Sequence, residues 1–331
     1  MRHLFSNTNF DFIGVRKYAY IITAVFFISG LVLLLVRGLN YSIEFTGGTL
    51  VQIESQVPVD VAQLRAALDA NGLTGAEIQS FGSDRDYLIR ARSTHGEAVS
   101  ENTETTVAAV RTALDQTLQP GRYEIMRREA VDPKVGGELR QRALLAIALS
   151  FAAILAYLAI RFEWRFGLAS IGATAHDVLG TVMFISLLNL EVSLVIVGAL
   201  LSVLGLSLNE TVIIFDRVRE NERKRLKLDL ASILNLSINE TLPRTVLTHG
   251  TSLSTMATLA IFGGEVIRPF AIVMFFGVFT GVFSSMFIAP VLLLYIRQRW
   301  PANDGAPVKG TPAARGPAPA VRRPRIAADG D

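Results

Sequence analysis

The chain has 331 residues, half of them hydrophobic and only 18% charged, with a mean hydropathy of +0.40 and a formal net charge of +3. This is the composition of a membrane protein and excludes an ordinary soluble domain. With no cysteine there is no disulfide framework, thiol nucleophile or cysteine-type zinc site; the four histidines, His3, His95, His176 and His249, lack metal-binding spacing, so no metal and no other cofactor is expected.

Residues 1–17 are short and polar, and 18–36 form a run of 19 residues without a charge, read as the first transmembrane helix. Arg2, Arg16 and Lys17 before this run outnumber the single Arg37 directly after it, which favours a cytoplasmic N-terminus. The run is too long for the apolar region of a signal peptide, so no cleavable signal is expected.

Residues 37–140 are polar and read as a separate domain. A strand at 49–54 is followed by a helix at 61–70, with Asp60 as its N-cap and Asn71-Gly72 closing it. Two strands at 76–82 and 86–92 flank a turn at 83–85, a helix covers 102–118, and a last strand follows Pro120-Gly121. The order β-α-β-β-α-β is that of a small α+β ferredoxin-like domain. With fifteen acids and nine bases over 38–138, it suits the non-cytoplasmic side and carries no phosphate loop or catalytic constellation.

Five further spans are expected: 141–160, the third within 161–190 after a short cytoplasmic loop, 191–215, 244–264 and 268–296. The fold class is therefore a polytopic α-helical membrane protein of six spans plus the α+β domain. The loop at 216–243 is rich in Lys and Arg while the opposite loops are nearly uncharged, which places both termini in the cytoplasm. Residues 232–240 read as a short surface helix ahead of the fifth span. The tail at 297–331 is basic, with many Pro and Ala residues; it is expected to be disordered, with membrane lipid as a possible contact and no nucleic acid partner.

Ionisable groups inside these spans are the candidate sites, because a charge there costs at least roughly 2.5 kcal/mol. Glu210 sits in the fourth span and reads either as a titratable group in an ion path or as a static pairing partner. Arg244 opens the fifth span at a similar depth, so the two are expected to pair, unless Arg244 snorkels to the surface. Asp177 with His176 is either a relay or a buried hydrogen-bonded brace. Gly172 and Gly180 share the His176 face and admit a close neighbour. Gly277 and Gly281 form a GxxxG helix contact, and the Ser/Thr run at 245–258 is read as packing. Nothing here resembles nucleophilic catalysis, and an enzyme is not expected.

Several stretches together carry a resemblance: EFTGGT at 44–49, VGGELR at 135–140, RFEWRF at 161–166, AHDV at 175–178, SLNETVIIFDRVREN at 207–221 and Pro243-Arg244-Thr245 with Thr251-Ser252. They resemble the SecD/SecF protein-export family of the RND superfamily, over about residues 10–297. The resemblance implies half of a proton-driven machine at the bacterial inner membrane. That machine would complete preprotein export with SecD, beside the SecYEG channel, with SecA and YajC-type subunits as indirect partners and an unfolded preprotein as substrate. It also implies that the family's intramembrane carboxylate and arginine fall on Glu210 and Arg244. Glu44, Gly47, Gly48, Gly137, Glu138, Asn209, Thr211, Asp216 and Arg217 are the further motif positions. On this reading, protonation of Glu210 loosens its tie to Arg244, and the helix shift moves the outer domain. Two rivals stay open: half of an RND-type exporter of a small molecule or lipid, and a passive translocon scaffold.

Overall fold

The computed structural model describes residues 8–81, 83–91, 99–118, 120–224, 228–264 and 266–300. The sequence readings at 1–7, at basic-loop positions 225–227 and in the tail beyond 300 lie outside the described residues.

The helices of the bundle are α1 (Arg16–Arg37), α5 (Pro133–Arg161), α6 (Trp164–Leu187), α7 (Leu194–Lys224), α8 (Leu230–Phe262), α9 (Arg268–Phe287) and α10 (Ala289–Arg299). Between α1 and α5 lie β1 (Asn40–Tyr41), α2 (Ile43–Thr46), β2 (Gly48–Ser55), α3 (Val61–Ala70), β3 (Glu77–Phe81), β4 (Ser83–Ala91), α4 (Val99–Leu118) and β5 (Tyr123–Val131); β6 (Glu191–Val192) sits between α6 and α7. Five helical stretches among the described residues are long and apolar enough to cross a membrane: Arg16–Arg37, Lys134–Leu158, Trp164–Leu187, Leu194–Lys224 and Arg268–Arg299.

Six spans were expected, and α8 explains the difference. It runs unbroken for 33 residues, with Pro243 inside it, but its Ser/Thr-rich half dilutes its hydropathy. The expected surface helix at 232–240 is the first half of α8, and it is not on the surface: Leu234 and Ile238 are completely buried beside Ile233. The final expected span is two helices, because α9 ends at Phe287 and Pro290, which has no N–H to give, stands in the first turn of α10.

The domain has the expected element order β2-α3-β3-β4-α4-β5, and its antiparallel sheet runs β3-β4-β2-β5. Alternation sets its faces: Val51 and Ile53 with Tyr87 and Ile89 point to α3 and α4 and bury Leu64, Leu68, Val110 and Leu114. Leu50 and Leu88 point the other way, onto Ile43 of α2. Asp60 caps α3, its carboxylate accepting the N–H groups of Ala62 and Gln63 at 2.9 and 3.3 Å. The turn between β3 and β4 is tighter than expected, since Phe81 already pairs with Ser83.

Two structures tie the outer segments to the bundle. At the end nearer the domain, β1 pairs in parallel with β6, Asn40 opposite Glu191 and Tyr41 opposite Val192. At the opposite end, Asn239 of α8 donates to the Phe10 carbonyl and accepts the Phe10 N–H, both at 2.9 Å, while Asn235 accepts the Ile13 N–H at 3.0 Å. Inside the bundle, α9 lies against α7 through its GxxxG pair: a Cβ on Gly277 would stand 2.2 Å from Val203 Cγ2, and one on Gly281 would stand 3.3 Å from Ser207 Cβ.

Candidate functional site

Glu210 projects from α7 into the contact with α8, and its side chain is only 3% exposed. One carboxylate oxygen accepts the Thr245 hydroxyl and the other lies 2.9 Å from His249 Nε2. The expected partner, Arg244, is not there. Its side chain is exposed and lines a cleft with Asp216, Arg217, Glu220 and Glu240. The reason is helical rotation. Thr245 and His249 are four apart and share one face of α8, while Arg244 is turned away by one residue, about 100°. The expected Glu210–Arg244 pair is thus replaced by a Glu210–His249 pair. The sequence places His249 in the fifth span and its Ser/Thr run without giving it a role; its spacing of four from Thr245 is the available signal.

Asp177 on α6 is fully buried and gathers three donors. It accepts the hydroxyls of Ser207 on α7 and Ser284 on α9, each at 2.5 Å, and lies 3.0 Å from Nδ1 of the adjacent His176. One carboxylate therefore joins three helices. The His176 ring stacks on Phe27 of α1 with centroids 4.7 Å apart, and a Cβ on Gly180 would stand 3.6 Å from the same Phe27 ring. The two acidic centres are one turn apart along α7, since Ser207 and Glu210 are three residues apart. Thr211, also fully buried, donates its hydroxyl to the Ser207 carbonyl at 3.2 Å. Asn209 faces outward, exposed.

The outer motif residues form a neck between domain and bundle. The Glu44 carboxylate accepts the Leu194 N–H, the first of α7, at 2.6 Å. Gly47 and Gly48 have φ of 74° and 124°, which only glycine adopts without strain. Of the following Gly-Gly pair, Gly136 is the constrained one, since a Cβ there would meet the Gly47 nitrogen at 3.0 Å; nothing lies within 4 Å of one on Gly137. Glu138 is exposed and lies 3.9 Å from Arg142. Beside the neck, Arg90 of β4 is ion-paired with Glu191 of β6 and donates to Asn40 at 3.2 Å. Burial pushes the Glu191 carboxyl above its usual range, against the pull of the Arg90 guanidinium. Neither partner of this pair was singled out in the sequence.

At the other end of α7 the motif charges form a network. Asp216 accepts from Arg161 at 2.9 Å, and Arg217 donates to Glu240 at 2.7 Å and Glu220 at 2.6 Å. It braces α5, α7 and α8 together and reaches neither Glu210 nor Asp177.

Two family patterns match the chain: "Protein export membrane protein SecD/SecF, C-terminal" over residues 109–299 and "SecD/SecF GG Motif" over residues 32–59. Among curated relatives, a protein translocase subunit SecF from Gemmatimonas aurantiaca is 49% identical over 309 residues, covering 92% of this chain and 92% of the relative. One from Desulfurispirillum indicum is 42% identical, covering 87% of this chain and 92% of the relative. Among solved structures, SecDF of Thermus thermophilus, described as a translocon-associated membrane protein, superposes with a TM-score of 0.78 at 34% identity. The match covers 89% of this chain and only 39% of that longer one. A second SecDF structure, in a super-membrane-facing form, gives 0.63 at 33% identity, covering 88% of this chain and again 39% of the longer one. The GG-motif match falls on the neck and the C-terminal match on the bundle that holds Asp177 and Glu210; the chain is a multi-pass membrane protein that belongs to the SecD/SecF family of protein-export membrane proteins.

Proposed function

We propose that this chain is a subunit of the Sec protein translocase that, with SecD, uses the proton-motive force to complete preprotein export across the bacterial inner membrane. It acts as a transport subunit and not as an enzyme. In this reading α8 is the fifth of six spans, both termini are cytoplasmic, and the acidic domain is a ferredoxin-like module in the periplasm. SecYEG is the neighbouring channel.

One observation carries the proposal. Glu210 lies sixteen residues into the apolar helix α7, with its side chain only 3% exposed. It is enclosed there by a hydroxyl and an imidazole and by no arginine or lysine. A carboxylate buried in an apolar helix, with an imidazole as its ion-pair partner and the charge of the exposed Arg244 acting only from a distance, is placed to gain and lose a proton. Its helix is held at the outer end by Glu44, so movement of α7 is passed to the domain neck.

A second feature supports SecD as the partner. Arg244, Thr248, Thr251, Thr255 and Thr258 recur at four- and three-residue steps and are all exposed, a polar stripe along α8. The four hydroxyls donate to carbonyls of α8 itself, so the arginine is the group that lipid disfavours and the polar face of a partner's helices would accept.

The test is preprotein translocation in vesicles depleted of the native subunit and refilled with Glu210→Gln. Loss of gradient-stimulated transport with the complex still assembled supports the proposal. A full gradient response would leave the passive-scaffold reading in its place.

A further inference from the structure

We propose that His249 is the group through which Glu210 exchanges its proton with the outside of the bundle, an inference that rests on the proton-coupling reading above. The carboxylate has two polar contacts, the Thr245 hydroxyl and His249 Nε2. The hydroxyl holds its proton across the whole physiological range, whereas an imidazole takes a proton at one nitrogen and gives one from the other near neutral pH. The positions suit that division. The Glu210 side chain is 3% exposed and that of His249 is 11% exposed, so the imidazole is the more accessible of the two.

With the neutral imidazole carrying its proton on Nε2, a hydronium ion gives a proton to His249 Nδ1, leaving water and an imidazolium. The Nε2 proton passes 2.9 Å to the Glu210 carboxylate, leaving a neutral imidazole and a neutral carboxylic acid. Release runs the same two transfers backward. No other titratable side chain touches the pair among the described residues. On α8, Arg244 is exposed and bonds to neither residue, its charge reaching Glu210 only from a distance, and the negative end of Glu240 is engaged by Arg217. On α7 the next charges, Asp216 and Arg217, are bound to Arg161 and to Glu240 and Glu220. On α9 nothing beyond Arg268 titrates. On α6, Asp177 and His176 face the pair only through Ser207, one turn away. Tyr295, Arg297 and Arg299 of α10 lie past the break after α9, and Arg297 is bound to Glu222.

The experiment uses the full chain with its partner subunits in translocation-competent vesicles. His249→Asn keeps a hydrogen-bonding group but carries no proton. It is expected to lower gradient-stimulated transport by at least about tenfold with the complex intact, as for a lost proton-transfer group. His249→Ala is expected to fail likewise and to recover when free imidazole is added, whereas Glu210→Gln does not recover. In parallel, 15N-histidine NMR of the full chain, with His249 assigned from His249→Asn, is expected to show a titration that moves when Glu210 is replaced by Gln. If Glu210→Gln abolishes the gradient response while His249→Asn keeps it, the proton reading stands and the role of His249 is overturned. If His249→Asn loses the response, but imidazole restores nothing and the His249 titration ignores Glu210, the residue is a brace and the proposal also fails. If Glu210→Gln keeps its gradient response, both readings fall together.

Discussion

The Glu44 carboxylate accepts the backbone N–H of Leu194 at 2.6 Å, across 150 positions of chain. Leu194 opens α7, and its N–H is one of the four that a helix start leaves without a partner inside the helix. A negative charge at that end also complements the helix dipole. Glu44 belongs to the neck that leads into the domain sheet, so one side chain connects the domain to the helix that carries Glu210.

Glu44→Ala removes that cap. A lost cap costs about 0.5–2 kcal/mol, so amide exchange at Leu194 should speed up by about tenfold. Gradient-stimulated transport should fall as well, while helix content by circular dichroism stays as in the wild type. Unchanged exchange at Leu194 would show that the neck holds α7 by other means.

The Arg90–Glu191 pair should be strongly coupled. Arg90→Met strands the Glu191 carboxylate in a site that already disfavours its charge, and Glu191→Leu leaves the guanidinium with Asn40 and a 3.5 Å contact to the exposed Glu77. Each single variant should lower the thermal midpoint more than the double variant does. A double-mutant cycle should return an interaction energy of about 1–3 kcal/mol, measurable from unfolding in detergent. Strict additivity would mean that the pair is too wet to matter.

Gly277 allows α9 to reach α7. Gly277→Ala would place a methyl group 2.2 Å from Val203 Cγ2 and force the helices apart. A loss of about 1–3 kcal/mol is expected, from overpacking. Val203→Ala in the same chain should recover most of it, which distinguishes this clash from a helix-propensity effect, since alanine is the better helix former.

Tyr123 should mark alkaline unfolding of the domain. Burial, then its hydrogen bond to Asp115 at 2.9 Å and the charge of that carboxylate, push the phenol up to about 12. The ordinary value is about 10, so the unfolded chain gives up this proton first. The contribution is fully present below pH 10 and is lost as pH rises toward 12. Tyr123→Phe should flatten the stability profile over that range, and absorbance at the phenolate band should lose its highest titration step.

Much of the architecture was legible in the chain because its signals are local. An apolar run announces a spanning helix by its length, and alternation announces a strand. Asp60 announces a helix start because a short carboxylate reaches the N–H groups two and three residues on. Gly277 and Gly281 announce a close contact because nothing else has so little side chain. Where a local signal was mixed, the outcome moved. The hydroxyls of α8 made a long helix too polar to count as an apolar span, and the stretch before Pro243, read as a surface helix, carries the fully buried Leu234 and Ile238.

The sequence by itself determined which acidic groups lie within the apolar segments, Asp177 and Glu210, since composition and position along the chain suffice for that. Only the tertiary structure decided their partners. Glu210 meets His249 and not Arg244, because each residue turns the α8 face by about 100° and only the packed bundle fixes which face meets α7. Asp177 meets Ser207 and Ser284, 30 and 107 positions away, and Glu44 meets Leu194. Such partners are fixed by the rotation and approach of packed helices, which no local pattern of residues encodes.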